Sequence, residues 1–241
     1  MIRGTFRWVL LFAVAGFSAH AETVLHYDFG NQTDQSRLVD SSGKGHHASV
    51  SNGYKRVDHQ GRRGIRLNAK SRFKIRNEKE LRLSGDMTIS FTFRMPKDVA
   101  EATAKQAPLI LGAAEKLAVN RTYAVFWNRG NAIVLNIGSG QTYVGFTIGK
   151  LNDGMIHHVV FRLEKNQLYA YLDGVLQPKS PCRATPLDPD LGSAPICFGH
   201  WFAGTFPGEL YDLRLDDEAV PLEEIMKEPK GNPGRKMRSK K

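Results

Sequence analysis

The stretch Leu151–Pro178, LNDGMIHHVVFRLEKNQLYAYLDGVLQP, decides the fold. Side chains of a strand alternate between its two faces, so Val159, Phe161 and Leu163 share one side. A short polar turn at Glu164 to Gln167 follows. Leu168, Ala170 and Leu172 then oppose Tyr169, Tyr171 and Asp173. Asp173-Gly174 is a hairpin turn signal, because glycine takes positive φ without a steric cost. This is a β-meander.

The same reading extends outward. Met87 to Met95 (MTISFTFRM) alternates cleanly, with Ile89, Phe91, Phe93 and Met95 on one face and Thr88, Ser90, Thr92 and Arg94 on the other. Strands are also expected at Thr23 to Phe29, Gly64 to Leu67, Arg72 to Ile75, Leu109 to Leu111, Thr122 to Trp127, Ala132 to Ile137, Tyr143 to Ile148 and Glu209 to Leu215. Only Asp98 to Ala107 and Val220 to Lys227, the latter with Pro221 near its start, suit a helix. Many short strands, frequent turns and little helical periodicity predict a single all-β sandwich or barrel.

The ends of the chain differ from its middle. Arg3 and Arg7 precede an apolar run from Trp8 to Phe17, and Ala19-His20-Ala21 supplies the small residues of a cleavage site. The run is about ten residues long, against roughly 20 for a bilayer span. The expectation is therefore a signal peptide at 1–21, a secreted, periplasmic or extracellular protein, and no transmembrane segment after cleavage. The net charge of +10 is concentrated at the ends. Arg3, Arg7 and the six basic residues of KGNPGRKMRSKK, 230–241, account for eight of those charges. That leaves a nearly neutral domain at 22–228, a basic disordered tail at 229–241 and no case for specific nucleic-acid binding. Cys182 and Cys197 are the only cysteines, and in an exported chain they are expected to form one disulfide, worth about 3 kcal/mol.

The opening stretch resembles the LNDGxWHHVAxxxxxGxxxLYVDGxxV core of laminin-G-like domains, in the concanavalin A-like lectin/glucanase superfamily. HYDFG (26–30), LVDSSGKGHHASV (38–50), GIRLNAKSRFKI (64–75) and FPGELYDLRLDDEAVPLEEI (206–225) resemble four further segments of that pattern, in order. The departures are Ile156 where the family has tryptophan, His46-His47 in place of an Asn-rich end, and Tyr211-Asp212 in place of an acidic pair. The resemblance implies a two-sheet antiparallel jelly-roll β-sandwich. It also implies a structural Ca²⁺ site, for which Asp28, Asp40 and Asp212 are the matching carboxylates; Ca²⁺ takes six to eight oxygen ligands.

The function expected is a non-catalytic binding module, with carbohydrate or a glycoconjugate as ligand. Sugars stack on aromatic rings and hydrogen-bond to polar groups. Two places combine the two: Trp127, Asn128 and Arg129 at a strand end, and His200 and Trp201 in a glycine-flanked loop. The alternatives are a protein-interaction or envelope/matrix structural domain, and a glycoside hydrolase or polysaccharide lyase whose site is assembled from distant strands. Glycoside hydrolysis needs two facing carboxylates. No strand here carries acids on one face in that pattern, and strict alternation puts Glu209 and Asp212 on opposite faces. His157 and His158 likewise point to opposite faces and cannot chelate one ion. His46-His47 is a weak transition-metal candidate with no spaced histidine or cysteine beside it.

Overall fold

The computed structural model describes residues 22–75, 78–83, 85–102, 108–116, 119–128, 130–140, 142–184, 196–201 and 204–227. The expected signal peptide, the basic tail and Arg129 lie outside them.

In chain order the strands are β1 (Thr23–Asp28), β2 (Arg37–Leu38), β3 (Ala48–Ser51), β4 (Tyr54–His59), β5 (Arg62–Leu67) and β6 (Arg72–Ile75). Then come β7 (Met87–Arg94), β8 (Leu109–Lys116), β9 (Val119–Asn128), β10 (Ala132–Gly140), β11 (Thr142–Ile148), β12 (Ile156–Glu164) and β13 (Gln167–Leu172). The rest are β14 (Val175–Leu176), β15 (Cys182–Arg183), β16 (Ile196–Phe198), β17 (His200–Trp201), β18 (Gly204–Thr205) and β19 (Glu209–Asp216). Two short α-helices, α1 (Lys97–Ala102) and α2 (Leu222–Ile225), and two 3₁₀ turns, Phe29–Asn31 and Glu78–Leu81, are the other regular elements among the described residues.

The first sheet runs β14-β13-β12-β7-β19-β5-β4, with β1 also on β19 and β15 on β13. The second runs β11-β10-β9-β8-β18-β17, with β16 on β8. A small third sheet, β2-β3-β6, flanks them. Among the described residues the pairing is antiparallel apart from a single β18–β8 contact, as expected of a jelly-roll sandwich.

The deciding meander forms as read. Glu164 faces Gln167 across Lys165-Asn166, and Leu172 faces Val175 across Asp173-Gly174. All four turn residues have positive φ, between 49° and 81°, the requirement of a two-residue type I′ hairpin.

The core lies between the two large sheets. Met87, Ile89, Phe91 and Phe93 of β7 bury against Tyr123, Val125 and Trp127 of β9 and Ile133, Leu135 and Ile137 of β10. Tyr27, Phe29, Phe73 and Phe198 extend it as an aromatic cluster, with neighbouring ring centroids 5.0–6.0 Å apart. The polar face of β7 is buried too. Thr88 donates to Glu218 O and accepts from Val220 N, so the chain after β19 closes over this face.

One expected feature is not formed. Cys182 pairs with Leu168 in the first sheet and packs against the main core. Cys197 pairs with Gly112 in the second sheet, and its side chain joins Leu109, Ala124, Phe126 and Val134 in a separate cluster on that sheet's other side. No disulfide joins them. A disulfide needs Cα atoms within about 7 Å and converging side chains, and here the two chains leave for different layers.

Candidate functional site

Two of the family-like motifs prove to be hydrogen-bonded clamps. In LVDSSGKGHH, Asp40 accepts from His26 N, Ser42 N, Ser42 Oγ and His46 N at 2.7–3.0 Å. Burial works against this carboxylate, yet the donors hold its pKa below the ordinary value. The motif therefore ties the loop to β1. In LNDGMIHH, buried His157 donates from Nδ1 to Asp173 (2.9 Å) and from Nε2 to Asp153 (3.0 Å). Burial alone would lower the histidine; the two carboxylates outweigh it and raise the pKa above 6.5. His158 leaves by the other face, as alternation predicts.

Of the three carboxylates matched to calcium, Asp28 and Asp212 sit opposite each other on β1 and β19, and each of the three is engaged by its own partners. Asp40 is saturated by its four donors, Asp28 accepts from Gly30 N and Asn31 Nδ2, and Asp212 takes His26 Nε2 at 2.9 Å. Among the described residues no three His, Cys, Asp or Glu side chains are grouped to hold a metal ion. The donor set does not fit a six- to eight-oxygen cage.

The aromatic candidates separate as well. Trp127 is fully buried; its register opposite Ile133 turns it inward, edge-on to Phe93 with centroids 6.1 Å apart. Asn128 Oδ1 accepts from Gly130 N and Ala132 N, which closes the β9–β10 turn. His200 and Trp201 form β17 at the edge of the second sheet; their side chains are outside the described set.

A β-bulge overturns the parity argument at β19. Glu209 faces Arg94 and Asp212 faces Thr92, two residues of β7 on the same side, because the register shifts between Leu210 and Asp212. Glu209 and Asp212 thus share a face. Glu209 is nonetheless committed: it bridges Arg66 (2.5 Å) and Arg94 (3.0 Å) and accepts from the Tyr211 hydroxyl (2.7 Å). Despite burial these partners lower its pKa, so it is a fixed carboxylate, not a proton donor.

A cleft lies elsewhere, on the three-stranded sheet. It encloses about 590 Å³ and is lined by Asp34, Ser36, Arg37, His47, Ala48, Ser49, Lys74 and Ile75. Register builds it. Arg37 on β2 and Lys74 on β6 both sit opposite Ser49 of the central strand β3. Ala48 and Ile75 turn inward and bury, while Ser49, Arg37 and Lys74 stay exposed. A small side chain between two long cationic ones leaves a groove. The volume falls in the range of small-ligand sites, about 300–1,000 Å³. Sequence reading missed this site because β2 is only two residues long and β3 (ASVS) is built of small residues, too few and too small to show a period.

The pattern of the concanavalin A-like lectin/glucanases superfamily matches residues 67–226. The chain belongs to that superfamily. Among solved structures this laminin-G-like domain is similar to domain 4 of AbnA, an extracellular arabinanase of Geobacillus stearothermophilus solved with arabinotriose. The TM-score is 0.56 at 18% identity, over 85% of this chain and 97% of that one. It is also similar to Trypanosoma rangeli sialidase solved with sialic acid, with a TM-score of 0.55 at 16% identity over 85% of this chain and 32% of the sialidase. Botulinum neurotoxin type C, which depends on two ganglioside molecules to get into cells, gives a TM-score of 0.58 at 12% identity, over 85% of this chain and 50% of the toxin. The domain thus spans about a third to a half of the last two. At these identities the likeness is one of fold. No curated protein matches the chain. No helix among the described residues is long and apolar enough to cross a membrane.

Proposed function

We propose that the protein is a secreted carbohydrate-binding module whose ligand lies in the Arg37–Ser49–Lys74 cleft. The observation that carries this reading is the cleft itself. An oligosaccharide needs an open groove with several convergent polar groups, and the cleft presents two cations, two serine hydroxyls, an imidazole and one carboxylate over a small apolar floor. The neighbouring structures add support, since three of them are described with arabinotriose, sialic acid and gangliosides. Secretion rests on the Arg3/Arg7 and Trp8–Phe17 pattern. The hydrolase reading loses its nearest acid because Glu209 is held ionised between two guanidinium groups.

The test is a glycan-array screen of the full chain, followed by titration of the best ligand against Ser49→Trp. Ser49 is exposed on the central strand, so an indole there fills the cleft without entering the core. Loss of binding with an unchanged melting temperature is the expected result. Undiminished binding would move the site off this sheet, and an array with no ligand would sink the carbohydrate reading.

A further inference from the structure

The cleft is unbalanced in its hydrogen-bonding capacity. Arg37 and Lys74 face it as exposed cations; among the described residues neither comes within ion-pair distance of a carboxylate, and Asp34 on the same rim feels the Arg37 charge only at longer range. His47 accepts the Asp40 N–H at Nδ1, 3.0 Å away. That bond fixes the tautomer and leaves Nε2 as a donor. The Ser49 hydroxyl donates to Lys74 O at 3.4 Å, which leaves its oxygen as an acceptor. The one carboxylate, Asp34, spends an oxygen on Ser36 N and Ser36 Oγ at 2.8 and 2.6 Å. The free donors of the cleft are therefore the two cations and the His47 Nε2–H, a set that suits a ligand made of acceptors.

A second cleft repeats the theme. It encloses about 230 Å³ and is lined by Phe29, Gly30, Arg56, Val57, Asp58, Arg63 and Gly64. Arg56 and Arg63 are exposed, and Arg56 is aimed by a bond from Nε to Gln32 O at 3.3 Å. Its carboxylate, Asp58, accepts from Gly61 N in the β4–β5 turn. The two clefts flank one segment of chain: Asp34 lines the first and Gly30 the second, at most roughly 14 Å apart along an extended backbone. Four cations thus border a segment with two turn-engaged carboxylates, in a domain that is otherwise close to neutral.

We infer that the saccharide taken by this protein is acidic, with carboxylate or sulfate groups spaced along a chain that runs from the Arg37/Lys74 cleft across residues 30–34 to Arg56 and Arg63. This rests on the binding-module reading above and names its ligand class. The basic tail would attract any polyanion, so the test keeps it intact in every variant. The full chain is titrated with dextran and dextran sulfate, and with oligogalacturonate and its methyl ester, at low and moderate salt. The charged member of at least one pair binds about tenfold or more tighter than its neutral counterpart, and salt weakens it. Preference for dextran sulfate assigns sulfate, and preference for oligogalacturonate assigns carboxylate; either supports the inference. Arg37→Ala and Lys74→Ala each weaken binding about five- to tenfold, while Arg63→Ala weakens long chains and spares a disaccharide. Lys150→Ala, an exposed cation beyond β11, changes affinity less than about twofold and controls for net charge. Equal binding of charged and neutral glycans, or an equal loss with Lys150→Ala, overturns the acidic ligand and leaves the binding module standing. Failure of every glycan overturns both.

Discussion

The clamp inside the deciding stretch makes a sharp prediction for Asp173→Asn. Asp173 has φ of +50°, a region asparagine tolerates better than other side chains, so the substitution spares the turn. Asp173 Oδ1 accepts from His158 N at 2.9 Å, and Oδ2 accepts from His157 Nδ1 at 2.9 Å. An asparagine that keeps the first bond aims its own N–H groups at the second donor. One hydrogen bond to a charged imidazole is lost, worth about 1.5–3 kcal/mol. Asp173 is about a quarter exposed, which favours a value near 2 kcal/mol. The pH dependence adds a second signature. The folded pKa of His157 is raised above its unfolded value of 6.5. Its contribution is therefore complete below about pH 6.5 and is lost as the pH rises through the folded pKa. Urea unfolding followed by tryptophan fluorescence should show the deficit of about 2 kcal/mol at about pH 5.5 and a smaller one at about pH 8.5, with an unchanged m-value. A deficit under about 0.5 kcal/mol at acid pH, or one equal at both pH values, would refute the clamp.

Three further outcomes follow from the packing. Trp127→Ala empties a fully buried site against Phe93 and should cost about 3–5 kcal/mol in chemical denaturation, whereas Trp127→Phe should retain both fold and glycan binding. Gly64→Ala places a Cβ against Leu210 O and 2.8 Å from the Tyr211 ring, where β5 meets β19; the backbone cannot yield, and a loss of about 2 kcal/mol or more is expected in the same assay. Calcium and chelator should give melting temperatures within about 1 °C of each other, since Asp28, Asp40 and Asp212 are engaged separately; a calcium-dependent rise of several degrees would show that these carboxylates regroup around the ion.

The sequence by itself determined the strands whose two faces differ in polarity. β7, β12 and β13 announce themselves because each alternates or turns on residues suited to positive φ, and the family-like motifs fix their order. The same sequence fixed the roles of HYDFG, DSSG and LNDG only as a pattern; their work as clamps appears once Asp40 meets His26 and His46, and His157 meets Asp153 and Asp173. Tertiary structure decided the rest. Whether Trp127 or Phe126 faced the core depended on the register of β9 against β10. A single bulge moved Asp212 to the face of Glu209. The two cysteines went to different layers. The cleft itself arose because β3 places a serine between an arginine and a lysine that are 12 and 25 residues away in sequence. Periodicity reports a strand's own burial, a local property; which charged side chains meet across strands is set by pairing, and only the folded chain fixes that.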